Sequence, residues 1–226
     1  MKILQILLIA FFTISLSASQ RYYTNYKADK IPKNMSVTTK KKRYFSLLTP
    51  AVQNIHQELM DRYTQIKYDM KHKRNRATIE SLKLHYKVKT DLELLYALKP
   101  HPQSITLAQG AMESAWATSR FFTKANNVFG MWSSNKNEPR IAAGIKRKGN
   151  RTIWLRKFNS IEDSIRAYYE LMAKGKTFKK FRKARYETDD VYKIIKKLDK
   201  YSEIGHTYTK ELAQMIRYNK LTKYDK

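Results

Sequence analysis

The sequence predicts a mainly helical domain with one small β-hairpin, and three observations carry that prediction. Apolar residues recur at three-and-four spacing along most of the chain. One stretch, 141–158, changes to a β-prone texture on either side of "KGN". The chain has 226 residues and no cysteine, so a hydrophobic core must hold it without disulfides or thiolate metal sites. Roughly 205 residues after a leader are enough for one domain with a sizeable core.

The elements follow in order. Lys2, an uncharged apolar run over 3–16, and then Ser17, Ala18 and Ser19 have the pattern of a secretory signal peptide, here 1–19. The run is shorter than the roughly 20 residues of a membrane span, with an uncleaved N-terminal anchor as the alternative. An exported protein of the periplasm or cell envelope is expected. Residues 20–42 are polar and basic, contain Pro32, and run into "TTKKKR" at 38–43; they read as a basic linker before a domain at 43–226.

After Pro50, Val52, Ile55, Leu59, Met60, Tyr63, Ile66 and Met70 mark a long amphipathic helix. Shorter helical patterns occupy about 79–86 and 92–98. "KPHPQS" then suits a helix start, and a helix is expected over about 104–117. In the hairpin, Ile153 and Leu155 fall on one side and Thr152, Trp154 and Arg156 on the other. "NSIED" opens another helix, with Asn159 or Ser160 as cap and Gly175 as its end. Further helices are expected near 178–184, 188–198 and 208–219.

The chain carries 46 Lys+Arg against 19 Asp+Glu, a net charge of +27. Such a surface favours polyanions. For an exported protein these are anionic envelope polymers or lipid headgroups rather than a specific nucleic acid, and a solvated basic face is the plainer alternative. The five histidines form no H-E-x-x-H, and no acidic cluster has calcium-loop spacing. "GKT" at 175–177 is no phosphate loop, because Glu170 stands where its first glycine belongs. Neither a metal nor a cofactor is expected, and the chain is expected to be monomeric.

What remains is a carboxylate. In "AQGAMESAWATSRFFTKANNVFGMW", Glu113 has Gln109, Gly110, Trp116 and Ala117 at helical three-and-four spacing, and no Lys or Arg there. Small and aromatic neighbours would desolvate the carboxyl and raise its pKa, as a general acid needs. A solvent-facing glutamate beside a packing seam fits the same pattern. "ANNVFGMW" then supplies amides, aromatics and a glycine, groups that suit a sugar and equally suit a turn with a buried Phe.

The same segment resembles the signature of the bacterial glucosaminidases, glycoside hydrolase family 73. "FNSIEDSIRAYYELMAKGKTFKKFRKAR" and "LDKYSEIGHTYTKELAQMIRYNKL" are similar, in the same order, to later segments of that family's Bax branch. The likeness covers about 43–221. It implies a lysozyme-like helical domain with a small β lobe over a cleft, acting on peptidoglycan glycan strands after N-acetylglucosamine. It implies Glu113 as general acid and Tyr201 as a cleft tyrosine that supports binding and catalysis. Asn127, Phe129, Gly130 and Trp132, together with Trp116, would bind substrate.

Glycosidases of the usual kind need two carboxylates. Stretch 141–158 has no Asp or Glu, which departs from several relatives. Glu138 and Glu203 are the candidates for the second. Substrate-assisted attack by the N-acetyl group and lytic or muramidase-type cleavage stay open, as does a non-catalytic module that grips glycan or polyanion.

Overall fold

The computed structural model describes residues 26–147 and 151–225, so the signal-peptide expectation (1–19) and the "KGN" turn lie outside the described residues. Nine α-helices and one hairpin are described: α1 (Val37–Lys71), α2 (Arg76–Tyr86), α3 (Asp91–Leu98), α4 (Gln103–Glu113), α5 (Arg120–Ala125), β1 (Arg140–Arg147), β2 (Arg151–Arg156), α6 (Ile161–Lys174), α7 (Lys179–Glu187), α8 (Val191–Ile195) and α9 (His206–Tyr218). The mainly helical class with one antiparallel hairpin is as the sequence predicts. Among the described residues no helix is long and apolar enough to cross a membrane.

α1 corrects one boundary. Helix begins at Val37, capped by the Ser36 hydroxyl, and runs through Pro50 without a break. The last part of the expected linker, 37–42, is therefore helical. Its pattern is hidden because Lys40, Lys41 and Lys42 interrupt the apolar spacing there, and the first buried positions, Arg43 and Tyr44, come just after the expected boundary.

α1 is long enough to serve two cores. Tyr44, Leu48, Ala51, Val52 and Ile55 pack with α4, α6 and the C-terminal helices. Tyr63 and Ile66 pack with Ile79, Tyr86, Leu94 and Leu98 of α2 and α3. Each such buried aliphatic contributes about 1.5–3 kcal/mol. A capping box between Thr90 and Glu93 starts α3.

α4 sits at the centre, with every residue from Ser104 to Ala111 buried. Gly110 permits this closeness. A Cβ there would lie 2.7 Å from the Tyr44 hydroxyl, which itself donates to the Leu107 carbonyl at 2.6 Å.

The hairpin pairs Arg140 with Arg156 and Ala142 with Trp154, then shifts register before Lys146 pairs with Thr152. It is tied to the loop after α5: the Ser133 N–H donates to the Trp154 carbonyl at 2.8 Å and the Arg156 N–H to the Met131 carbonyl at 2.9 Å. α6 starts on the Ser160 hydroxyl, which accepts from the Asp163 N–H, and stops at Gly175, both as expected.

Candidate active site

Glu113 is the last residue of α4, four residues before the expected helix end. The chain there turns left-handed: Ala115, Trp116 and Ala117 have φ of 51°, 62° and 61°. None is glycine, so each costs about 1–2 kcal/mol. Ser114 holds the turn from within. Its hydroxyl donates to the Gly110 carbonyl and accepts from the Ala117 N–H at 2.8 Å. Arg43 holds it from outside, donating to the Ala117 carbonyl at 2.7 Å and to the Lys27 and Ala28 carbonyls at 2.9 Å. Backbone strain maintained by surrounding structure is characteristic of functional sites. The turn also ends the helix, so Glu113 projects from a tip instead of lying along a face.

The Glu113 residue is open to solvent, yet protein crowds its carboxyl closely enough that burial raises its pKa. A hydrogen bond from the Tyr208 hydroxyl opposes that rise. Tyr208, on α9, is buried, and its hydroxyl accepts from Gln109 Nε2 at 2.8 Å. Tyr201 stacks on Tyr208 with ring centroids 5.2 Å apart. Burial, then Tyr208 and then Glu113 push the Tyr201 hydroxyl well above the ordinary tyrosine range. The structure thus brings Glu113, Tyr201 and Tyr208 into one neighbourhood. A neutral tyrosine donor next to a protonatable carboxyl can steady either its charged form or a developing charge on a substrate.

The loop "ANNVFGMW" divides its labour. The buried Asn127 amide donates to the Met131 and Arg156 carbonyls and accepts from the Met131 N–H, all at 2.9 Å. Its amide is therefore spent on joining loop to hairpin rather than held out to a ligand. Phe129 is also buried, stacked on Tyr168 at 4.0 Å. Gly130 has φ of 63°, a left-handed position that a glycine adopts without strain. Trp132 is 61% exposed, which leaves indole surface that a sugar face could meet. Trp116 is half-buried, edge-on to Tyr44 and Phe45, with the Lys41 ammonium 5.0 Å over its ring.

The acids are spread out. Glu138, just before β1, pairs with Arg156 at 3.1 Å. Glu203 is exposed in the turn before α9. Sequence reasoning passed over Glu211, which stands one turn after Tyr208 on α9 and acts on the Tyr208 hydroxyl electrostatically. Its three-residue spacing from a site tyrosine is the signal that could have found it. Glu211 also lines a groove of about 970 Å³ with Met112, Trp116 and Tyr218. A second cavity, about 570 Å³, lies apart from Glu113, between α1, α2, α6 and the hairpin base. Among the described residues no cluster of His, Asp or Glu side chains could hold a metal.

With that geometry in view, comparison with known proteins decides the family. The family profile described as mannosyl-glycoprotein endo-beta-N-acetylglucosaminidase matches residues 89–221, more than half of the chain and all of the site. The chain belongs to this glucosaminidase family. Protein bax of Escherichia coli K12 is 29% identical to this chain over 158 residues, which make up 64% of the chain and 55% of that protein's length. The catalytic domain of the autolysin Auto from Listeria monocytogenes shares 21% identity, covering 66% of this chain and 86% of that one, with a TM-score of 0.47. The glycoside hydrolase domain of FlgJ from Salmonella typhimurium shares 19%, covering 66% and 89%, with a TM-score of 0.44. At such scores these are partial likenesses.

Proposed function

We propose that this glucosaminidase-family protein is an exported peptidoglycan hydrolase that cleaves the β-1,4 bond after N-acetylglucosamine, with Glu113 as general acid. Family membership across 89–221 supports the reaction class, and solved proteins similar to this chain include a peptidoglycan hydrolase from Sphingomonas sp. A1. The observation that carries the assignment of Glu113 is its place at the strained tip of α4, partly desolvated and in contact with Tyr208. A carboxyl with a raised pKa keeps its proton nearer neutrality and can pass it to the glycosidic oxygen as the C1–O4 bond breaks.

The stretch 141–158 carries no acid, and Glu138 is engaged by Arg156. We therefore favour attack on C1 by the substrate's own acetamido oxygen, which gives an oxazolinium ion that water then opens with Glu113 as base. Tyr201 would orient the acetamido group, and Trp132 would stack on a neighbouring sugar. Glu138 and Glu203 remain the alternatives for a second carboxylate, and either, acting as a base on water, would give inversion where the acetamido route gives retention.

Mass spectrometry of digested, purified peptidoglycan tests the reading. Reducing N-acetylglucosamine ends are expected. Reducing N-acetylmuramic acid ends would mean a muramidase, anhydro ends lytic cleavage, and an unchanged polymer a binding module.

A further inference from the structure

We infer that Arg185, His101, Tyr168 and Gln109 form a one-way hydrogen-bond chain that fixes the Tyr208 hydroxyl as a donor to Glu113, which makes these four buried side chains positioning residues for that carboxyl. The inference rests on Glu113 being the acid of the proposed reaction, but the chain itself is a matter of which atoms can donate.

Arg185 is fully buried on α7, donates through Nη2 to the Tyr96 and Ala97 carbonyls, and presents Nη1 to His101 Nδ1 at 3.3 Å. A guanidinium can only donate, so Nδ1 must accept and the imidazole proton must sit on Nε2. Burial first, and then the Arg185 charge, hold His101 neutral far below the ordinary histidine range, which agrees with a single ring proton. Nε2 lies 3.1 Å from the Tyr168 oxygen and 3.0 Å from Thr106 Oγ1. Thr106 donates its own proton to Tyr169, so it accepts from Nε2.

The Tyr168 oxygen accepts from His101 as well, and its hydroxyl proton goes to Gln109 Oε1. That orients the amide. With its oxygen toward Tyr168, Gln109 turns Nε2 to the Tyr208 oxygen at 2.8 Å. Tyr208 already accepts from that amide, which leaves its own proton for the Glu113 carboxyl, the acceptor its hydroxyl interacts with. Every link points the same way, from a permanent cation in the core to the carboxyl at the surface. Reversing any link would set two donors or two lone pairs face to face in a buried site, where an unmade hydrogen bond is costly. For the reaction this has one consequence. The Glu113 oxygen facing Tyr208 accepts, so the transferable proton resides on the other oxygen.

Tyr168→Phe tests the chain three links away from the acid. It keeps the ring that stacks on Phe129 and removes only the proton that orients Gln109. The amide can then reverse, take the Tyr208 proton, and leave Glu113 without its donor. Glutamate labelled with ¹³C at Cδ, with the Glu113 resonance identified by its loss in Glu113→Gln, gives the titration midpoint independently of any activity. The Tyr168→Phe midpoint should rise by roughly half to one pH unit, in the same direction as that of Tyr208→Phe. The double variant should match Tyr208→Phe alone. A wild-type midpoint in Tyr168→Phe, or additive shifts in the double variant, would overturn the chain. Urea unfolding of the same proteins isolates a packing defect, which would lower stability without moving the midpoint. A wild-type protein that releases no glycan would defeat the proposed reaction and still leave this titration readable.

Discussion

Two stretches of nearly equal importance lie on either side of the α4–α5 junction, and they are built on opposite plans. The α4 side, from Gln103 through the turn at Ala117, turns its polar groups inward, and buried arginines bond its carbonyls and its histidine partner. The hairpin side, from Asn126 to Phe158, turns amides inward to tie loop to strand and leaves its tryptophans and its described basic residues at least partly exposed. The same residue type does different work on the two sides. Arg43 and Arg185 are structural cations, whereas Arg140 lies 4.4 Å over the Trp154 ring at the half-exposed hairpin. A net charge of +27 therefore overstates the cations available to an anionic polymer.

The comparison breaks most readily at Arg43. Arg43→Ala leaves three carbonyls without their charged donor and should cost about 3 kcal/mol or more, read as a lower urea midpoint. The loss should be greater than for Arg140→Ala, which is expected to stay within about 0.5 kcal/mol. Gly110→Ala drives a methyl against the Tyr44 hydroxyl and should cost about 1–3 kcal/mol. On the hairpin side, Trp132→Ala should raise KM severalfold with kcat little changed, because an exposed stacking face contributes uniform binding.

Protons sharpen the same contrast with smaller effects. His56 is held down to about 4, chiefly by burial, and His101 is also lowered. The unfolded chain binds those protons from about pH 6.5 downward and the folded one does not, so stability should fall as pH drops below about 6.5. Glu113 has the opposite sign. Its raised folded pKa means that ionisation costs stability as pH rises through that value. Glu113→Gln should therefore melt slightly higher than wild type at pH 7, and the gap should close below about pH 4.

Periodicity made most helices legible, because burial on one face leaves a three-and-four pattern that survives in the sequence, as in α2, α3 and α6. It failed where three consecutive lysines, 40–42, interrupt the apolar spacing at the start of α1 and where three non-glycine residues turn left-handed after Glu113. No local rule predicts that turn, since Arg43 supplies part of its support from 74 residues away. Glu113 stood out by its small and aromatic neighbours and by the family signature, and burial raises its pKa in the direction those neighbours suggest. Asn127 and Phe129 were visible as important, but the reason differs: both build the loop from inside. The buried chain through His101 and Gln109 joins α4, α6, α7 and α9, and only the tertiary fold aligns it.

The central claim is that Glu113 performs chemistry rather than adhesion. Turnover and binding of purified peptidoglycan by Glu113→Gln, measured side by side, test it most directly. The account predicts that release of soluble fragments falls by roughly 10²–10⁴ while binding to the polymer stays near wild type. Fragment release at the wild-type rate would contradict it.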